Sequence, residues 1–207
     1  MPYNLEIDGW MNEIELQNIE RLARTVPANG VIVEIGSWKG RSAAAWAASA
    51  DPSVTVYCFD PFNRWDEFVE NTAQFTNIVP VKGMVPIEST YTDTRKIDIC
   101  FIDASHWNPS DWNIIEYFLP FIAVNGYIGG HDYTPYSIAA ARGFEGPHSV
   151  DLRGPHRGLD YPDVNTNVHR LEEMFNQKAV VGKKRSGPYN KCWWLKKPPD
   201  SVFDTTM

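Results

Sequence analysis

The sequence predicts an α/β protein: a doubly wound, mostly parallel sheet finished by a C-terminal antiparallel hairpin. Three observations carry this reading. Short β-branched and aromatic runs alternate with helix-forming stretches from residue 31 to about residue 133, the pattern of parallel strands joined by right-handed crossovers. Three of those runs end in acidic residues, Asp60, Asp103 and Asp132, where the chain leaves the sheet. After residue 163 the alternation gives way to one helical stretch and two short strand-like segments.

The elements follow in order. Residues 11–26 carry Ile14, Leu16, Ile19, Leu22 and Ala23 at helical spacing, and Pro27, Asn29 and Gly30 close this leading helix. VIVEI, residues 31–35, reads as a strand buried on both faces and stops at the turn GSWKG. RSAAAWAASA, residues 41–50, is rich in strong helix formers and ends before Asp51 and Pro52, after which VTVYCFD supplies a second strand. Residues 63–75 form a helix, residues 78–81 a third strand, and Gly83 and Pro86 follow. IDICFID, residues 97–103, is a strand. WNPSDWNIIEYFLPFI is a helix that begins near Asn108, Pro109 and Ser110 and is ended by Asn125 and Gly126. YIGGHDY, residues 127–133, is the next strand.

From residue 134 to 163 the composition turns to Gly, Pro, His, Arg and Tyr without periodicity, and a stretch this long is read as an active-site lid. Its aromatics Tyr136, Phe144 and Tyr161, with Tyr133 just before them, either shape an acceptor pocket or pack the loop down. Residues 164–175 are helical, residues 178–183 and 191–195 form the closing hairpin, and the last ten or so residues fray. Trp193 and Trp194 are core and edge residues of the last strand. The whole chain, 1–207, is thus one domain with a leader (1–30), a core (31–133), a lid (134–163) and a closing unit (164–207).

With 207 residues the chain can bury a substantial core without disulfide or metal staples. A net charge of −7 gives no global support for attraction to a phosphate backbone, so no nucleic-acid partner is expected. Lys183, Lys184 and Arg185, with Lys191, Lys196 and Lys197, are read as a solvated loop edge. Cys58, Cys100 and Cys192 are odd in number and widely spaced, as in a reducing, cytoplasmic setting. The start MPYNLEIDGW is not a signal peptide, and no window approaches the ~18 apolar residues of a membrane span. A soluble protein follows.

The chemistry should sit at the carboxyl ends of the strands, where strand order reverses. Glu34, Asp60, Asp103 and Asp132 would crowd several carboxylates there, an arrangement that needs hydroxyls, cations or a metal to offset it. Gly36 and Gly40 in GSWKG let the backbone approach a ligand closely. The turn is not the G-x-G-x-x-G that cradles a pyrophosphate, and Trp38 would obstruct one. Asp60 ends the second strand near the spacing at which an acidic residue holds ribose hydroxyls.

VEIGSWKGRS followed by VYCFDPF resembles the first two cofactor motifs of class I S-adenosylmethionine-dependent methyltransferases, a Rossmann-like fold. FIDASHW followed by GYIGGHDY is similar to the branch with macrocin and mycinamicin sugar O-methyltransferases, cephalosporin-hydroxylase-like proteins and, more distantly, catechol O-methyltransferases. The resemblance spans roughly residues 30–135. It implies that Gly36, Ser37, Trp38 and Gly40 form the cofactor turn and that Gly36 and Trp38 line the methionine side. It also implies that Ser42 meets the cofactor carboxylate, Asp60 holds the ribose, and Met84 and Val85 flank the adenine. Glu34 would anchor the turn and the cofactor's amino-acid end, and Asp103 would border both cofactor and acceptor.

The same resemblance puts Asp103, His131 and Asp132 where metal-dependent relatives bind a divalent cation such as Mg²⁺. The sequence departs from that pattern, because His131 stands at or beside a carboxylate position and Tyr133 follows where catechol-type enzymes use an amide. Histidine tilts the preference toward transition metals, and metal dependence stays open. His106, three residues after Asp103, looks like the catalytic lysine of catechol-type enzymes. An imidazole there can take the acceptor's proton, or it can simply cap the helix near Asn108. His148 and His156, in the lid, are read as solvent-facing, and His169 falls in the late helix.

The expected activity is methyl transfer to a hydroxyl of a small molecule, a sugar or glycosylated metabolite. The alternatives are a non-catalytic cofactor-binding module and a nucleotide-sugar or nicotinamide enzyme on the same architecture. Relatives often pair through surface helices, and a homo-oligomer is compatible with the sequence.

Overall fold

The computed structural model describes residues 6–134, 161–181 and 190–199. Helix α1 (Glu13–Ala23) opens with a capping box: the Asn12 side chain accepts the amides of Ile14 and Glu15, and Glu15 returns a carboxylate to the Asn12 amide. Strand β1 (Val31–Ile35) is buried at all five positions, as expected of a mostly apolar central parallel strand, with Glu34 the one charged residue taken inside. Helix α2 (Arg41–Ser49), β2 (Thr55–Asp60), α3 (Trp65–Thr72), β3 (Ile78–Lys82) and β4 (Ile97–Ile102) continue the alternation. Then come α4 (Ser110–Phe118), a 3₁₀ turn (Leu119–Phe121), β5 (Ile122–Gly130), α5 (Pro162–Phe175), β6 (Val180–Val181) and β7 (Trp193–Lys196).

The strands form one sheet in the order β3-β2-β1-β4-β5-β7-β6. The first five are parallel, while β7 runs antiparallel to both β5 and β6. Strand residues alternate between two cores. Ile32, Val56, Ile99, Phe101 and Trp194 pack with α1, α2 and Phe68 of α3. Val33, Phe59, Cys100, Ile102 and Trp193 pack with α4 and α5 on the other face. Trp193 and Trp194 therefore serve opposite layers, as consecutive strand residues must. Gly129 is needed beneath Trp194, because a Cβ there would lie 2.1 Å from its ring. Strand order reverses between β1 and β4, so the crevice opens at their carboxyl ends.

Three expectations are corrected. β5 begins at Ile122 and contains Asn125 and Gly126, which were expected to lie ahead of it, and it ends at Gly130, so residues 131–133 have left the sheet. Asn125 (φ +65°) sits where the pairing with β4 shifts register, its amide donating to the Lys197 carbonyl, so the Asn-Gly pair makes a bulge instead of a turn. Lys191 and Lys197 do not form a solvated edge: Lys197 is buried with Nζ on the Ile122 carbonyl, and Lys191 pairs with Asp132. Tyr133 is buried in the α4–α5 core. Of the proposed lid, residues 135–160, including Tyr136, Phe144, His148 and His156, lie outside the described residues, and Tyr161 already precedes α5. Among the described residues no helix is long and apolar enough to cross a membrane.

Candidate active site

The turn from β1 into α2 is built by backbone demands. Gly36 (φ +89°) lies so close to β4 that a Cβ would sit 1.8 Å from the Asp103 carbonyl oxygen. Gly40 (φ +86°) starts α2 without a side-chain cap, which leaves helix amides free to face an anion. Trp38 takes a left-handed φ of +43°, with its amide donating to Asp60 Oδ2 at 2.9 Å. The other Asp60 oxygen accepts the Phe62 amide, so this carboxylate ties the two strand-end turns together.

Glu34 lies beneath the turn, fully buried, and accepts the Ser37 hydroxyl at 2.7 Å. Its other oxygen has no aligned donor. Burial pushes its pKa up to about 7, against the pull of the Ser42 and Ser37 hydroxyls toward the anion.

Above the turn is a cavity of about 440 Å³, a size suited to a small molecule or cofactor. Gly36, Ser37, Trp38, Ser42, Asp60, Met84, Val85, Asp103 and His106 all line it. Glu34 and Gly40 are not among its lining residues. The sequence reading did not anticipate the wall made by Gly9, Trp10 and Met11, held over α2 by Arg41, which donates to the Ile7 carbonyl. Lys39 pairs with Asp8 in the same strap.

At the carboxyl ends of β4 and β5 a compact charged group adjoins this cavity. Ligand atoms of Asp103, His131 and Asp132 all lie within 4.8 Å of one another. His131 Nδ1 is 3.2 Å from Asp132 Oδ2 and 4.0 Å from Asp103 Oδ1, and its Nε2 is 3.2 Å from Glu15 Oε1. Neither ring nitrogen has a neighbour aligned for a hydrogen bond, although the ring is buried. Burial disfavours the imidazolium, yet the carboxylates of Asp132 and Glu15 raise the His131 pKa to about 10. Burial likewise opposes the Asp132 anion, but His131 and Lys191 hold its pKa down to about 2, whereas burial raises that of Asp103. A buried, misaligned imidazole aimed between two carboxylates fits a divalent cation, which would replace one imidazole proton.

His106 adopts φ +64° and Asp132 φ +61°, backbone conformations that persist where surrounding structure enforces them, often at functional sites. His106 Nε2 lies 3.5 Å from Asp132 Oδ2 and 3.8 Å from Asp103 Oδ1, and its ring rests against Tyr161 at 4.6 Å. It does not cap α4: that helix starts at Pro109 without a side-chain cap. Ser105 instead donates to Asp111 at 2.7 Å, and the Asn108 amide donates to Asp163. His169 lies apart, beside Glu172 and Glu173 on α5.

Two members of the group were not foreseen. Lys191 reaches Asp132 Oδ1 at 3.0 Å. Glu15 arrives from α1, where the Asn-x-x-Glu spacing of residues 12–15 was the available signal of a buried, oriented carboxylate.

A family model described as a methyltransferase domain matches residues 33–133, which contain this turn and the charged group. No curated protein matches the sequence. Among solved structures, the fold is similar to the O-methyltransferase TomG of Streptomyces achromogenes, described in complex with S-adenosylmethionine (15% identity, 91% of this chain and 82% of that one, TM-score 0.61). It is similar to the O-methyltransferase of Bacillus cereus in complex with S-adenosylhomocysteine (16% identity, 93% and 84%, TM-score 0.60). It is also similar to the N-methyltransferase NodS of Bradyrhizobium japonicum (16% identity, 88% and 94%, TM-score 0.57). The strand order, the glycine turn and Asp60 agree with the family match: residues 33–133 resemble a methyltransferase domain, on a fold shared with these solved methyltransferases.

Proposed function

We propose that this methyltransferase acts on a hydroxyl of a small molecule, a sugar or glycosylated metabolite, with a divalent cation held by Asp103, His131 and Asp132. The observation that supports the reading is that His106 and Asp103 line the same cavity as the glycine turn, so that an imidazole able to accept a proton would stand beside a cofactor bound there. That TomG and the Bacillus cereus protein are O-methyltransferases supports the choice of acceptor atom, and the net charge of −7 weighs against a polyanionic acceptor.

In this reading Asp60 holds the ribose, Met84 and Val85 flank the adenine, Gly36 and Trp38 line the methionine side, and Ser42 with the α2 amides receives its carboxylate. Glu34, poised near neutrality, takes the negative charge that answers the cofactor's ammonium. The acceptor oxygen attacks the sulfonium methyl in line, so that an O–CH₃ bond forms as the S–CH₃ bond breaks and S-adenosylhomocysteine leaves. His106 Nε2 faces Asp132 and Asp103, which favours the tautomer protonated there and leaves Nδ1 to take the hydroxyl proton. A bound cation would supply positive charge that lowers the pKa of an oxygen ligand.

The test is methyl transfer by His106→Ala and His106→Gln against a panel of hydroxylated acceptors. General-base removal predicts a fall in kcat of about 10²-fold or more, with S-adenosylhomocysteine affinity retained. Undiminished transfer would remove His106 from the mechanism.

A further inference from the structure

One carboxylate enters the charged group from outside the strand ends. Glu15 belongs to α1, yet it is only 2% exposed. Its Oε2 accepts the Asn12 amide at 2.8 Å and its Oε1 accepts the Lys191 amide at 2.8 Å. Two backbone donors from opposite ends of the chain therefore fix the carboxylate while Oε1 stands 3.2 Å from His131 Nε2, in contact with the ring and in need of only a turn of the imidazole to align as a hydrogen bond. The other face of the ring meets the putting-together of strand ends: Nδ1 looks toward Asp132 Oδ2 at 3.2 Å and Asp103 Oδ1 at 4.0 Å.

A neutral imidazole carries one N–H, and a carboxylate can only accept it. Of the two sides, Glu15 is immobilised and has no role as a ligand, whereas the side facing Asp103 and Asp132 is the side that presents donors to a cation. A metal-bound histidine gives its remaining N–H to a carboxylate or carbonyl, which sets both tautomer and ring orientation. We propose that Glu15 is a positioning residue that keeps the His131 proton on Nε2, so that Nδ1 becomes the nitrogen ligand of a divalent transition metal between Asp103 and Asp132. This inference rests on the cation reading above and deepens it. An imidazole ligand makes the site favour Co²⁺ or Mn²⁺ over Mg²⁺, which takes oxygen donors. It also gives α1 a function beyond covering the sheet, because the helix cap, the entry to β7 and the ligand histidine meet at one carboxylate.

The experiment is calorimetric titration of the full chain with Co²⁺ and with Mg²⁺, accompanied by the visible absorption of bound Co²⁺. Wild type, Glu15→Gln, His131→Ala and Asp103→Asn are compared, with S-adenosylhomocysteine binding as the check on folding. The expected result is Co²⁺ binding tighter than Mg²⁺ binding in wild type. In Glu15→Gln, Co²⁺ affinity falls about 10- to 100-fold, the range for loss of such a supporting partner, the Co²⁺ spectrum changes, and homocysteine-nucleoside binding persists. If Glu15→Gln matches wild type while His131→Ala and Asp103→Asn lose the metal, the cation reading stands and the role of Glu15 is overturned. If wild type binds no divalent cation, both are overturned, and Lys191 supplies the positive charge beside Asp132. Should Glu15→Gln fail to fold, long-range ¹H–¹⁵N NMR of the wild-type histidines with Zn²⁺ locates the proton directly. A proton on Nε2 of His131 supports the proposal, and one on Nδ1 overturns it.

Discussion

Glu34 makes the stability of the protein depend on pH in a direction opposite to that of a salt-bridged carboxylate. Its carboxyl is fully buried, and burial raises its pKa from 4.5 to about 7. Between those values the folded chain keeps a proton that the unfolded chain has released. The stability contributed by the protonated form is therefore complete below pH about 4.5 and is lost as the pH rises through about 7. At about 1.36 kcal/mol per pH unit, that loss is on the order of 3 kcal/mol. Glu34→Gln keeps an oxygen for the Ser37 hydroxyl and cannot ionise. Urea unfolding of wild type and variant from pH 5 to 8 isolates the effect, because every other titrating group is common to both and cancels in the difference. The variant should gain on wild type progressively across the window, by the order of magnitude just given. A difference that stays flat from pH 5 to 8 would refute the reasoning, since it would mean that Glu34 ionises as it does in water.

Other consequences follow from the same turn. Gly36→Ala brings a Cβ to 1.8 Å from the Asp103 carbonyl. Its left-handed backbone alone costs about 1–2 kcal/mol, so a lowered urea midpoint and loss of S-adenosylhomocysteine binding are expected; binding at wild-type strength would show that the β1–β4 contact is slack. Asp60→Ala removes the acceptor of the Trp38 and Phe62 amides. With hydrogen bonds to a charged group contributing about 1.5–3 kcal/mol, S-adenosylhomocysteine affinity measured by calorimetry should fall about 10- to 100-fold, and an unchanged Kd would contradict the ribose assignment.

Most of the sheet was legible because a strand buried on both faces writes a short, mostly apolar and β-branched run, and VIVEI and IDICFI are such runs, each with a single acidic residue. The beginning of β5 was not, since Asn125-Gly126 carries the local chemistry of a turn and only its pairing across the sheet makes it a bulge. The glycine turn and Asp60 were readable for the same local reason: their spacing along the chain reports their geometry. The charged group was only half visible. Asp103, His106, His131 and Asp132 end or follow strands and so could be grouped by topology. Glu15 and Lys191, separated by 176 positions, meet there only because α1 and the start of β7 pack against the same end of the sheet. No periodicity records such a contact. Lys197 was misplaced for a related reason, since a lysine beside other basic residues reads as surface until a carbonyl, here that of Ile122, is found to receive it inside.

The central claim is that the cavity above residues 36–42 is an S-adenosylmethionine site, and calorimetric titration of the purified protein with S-adenosylhomocysteine, with NADH as control, tests it most directly. Micromolar binding of the homocysteine nucleoside with no response to NADH is predicted; a folded protein that fails to bind it, with or without divalent cations, would contradict the account.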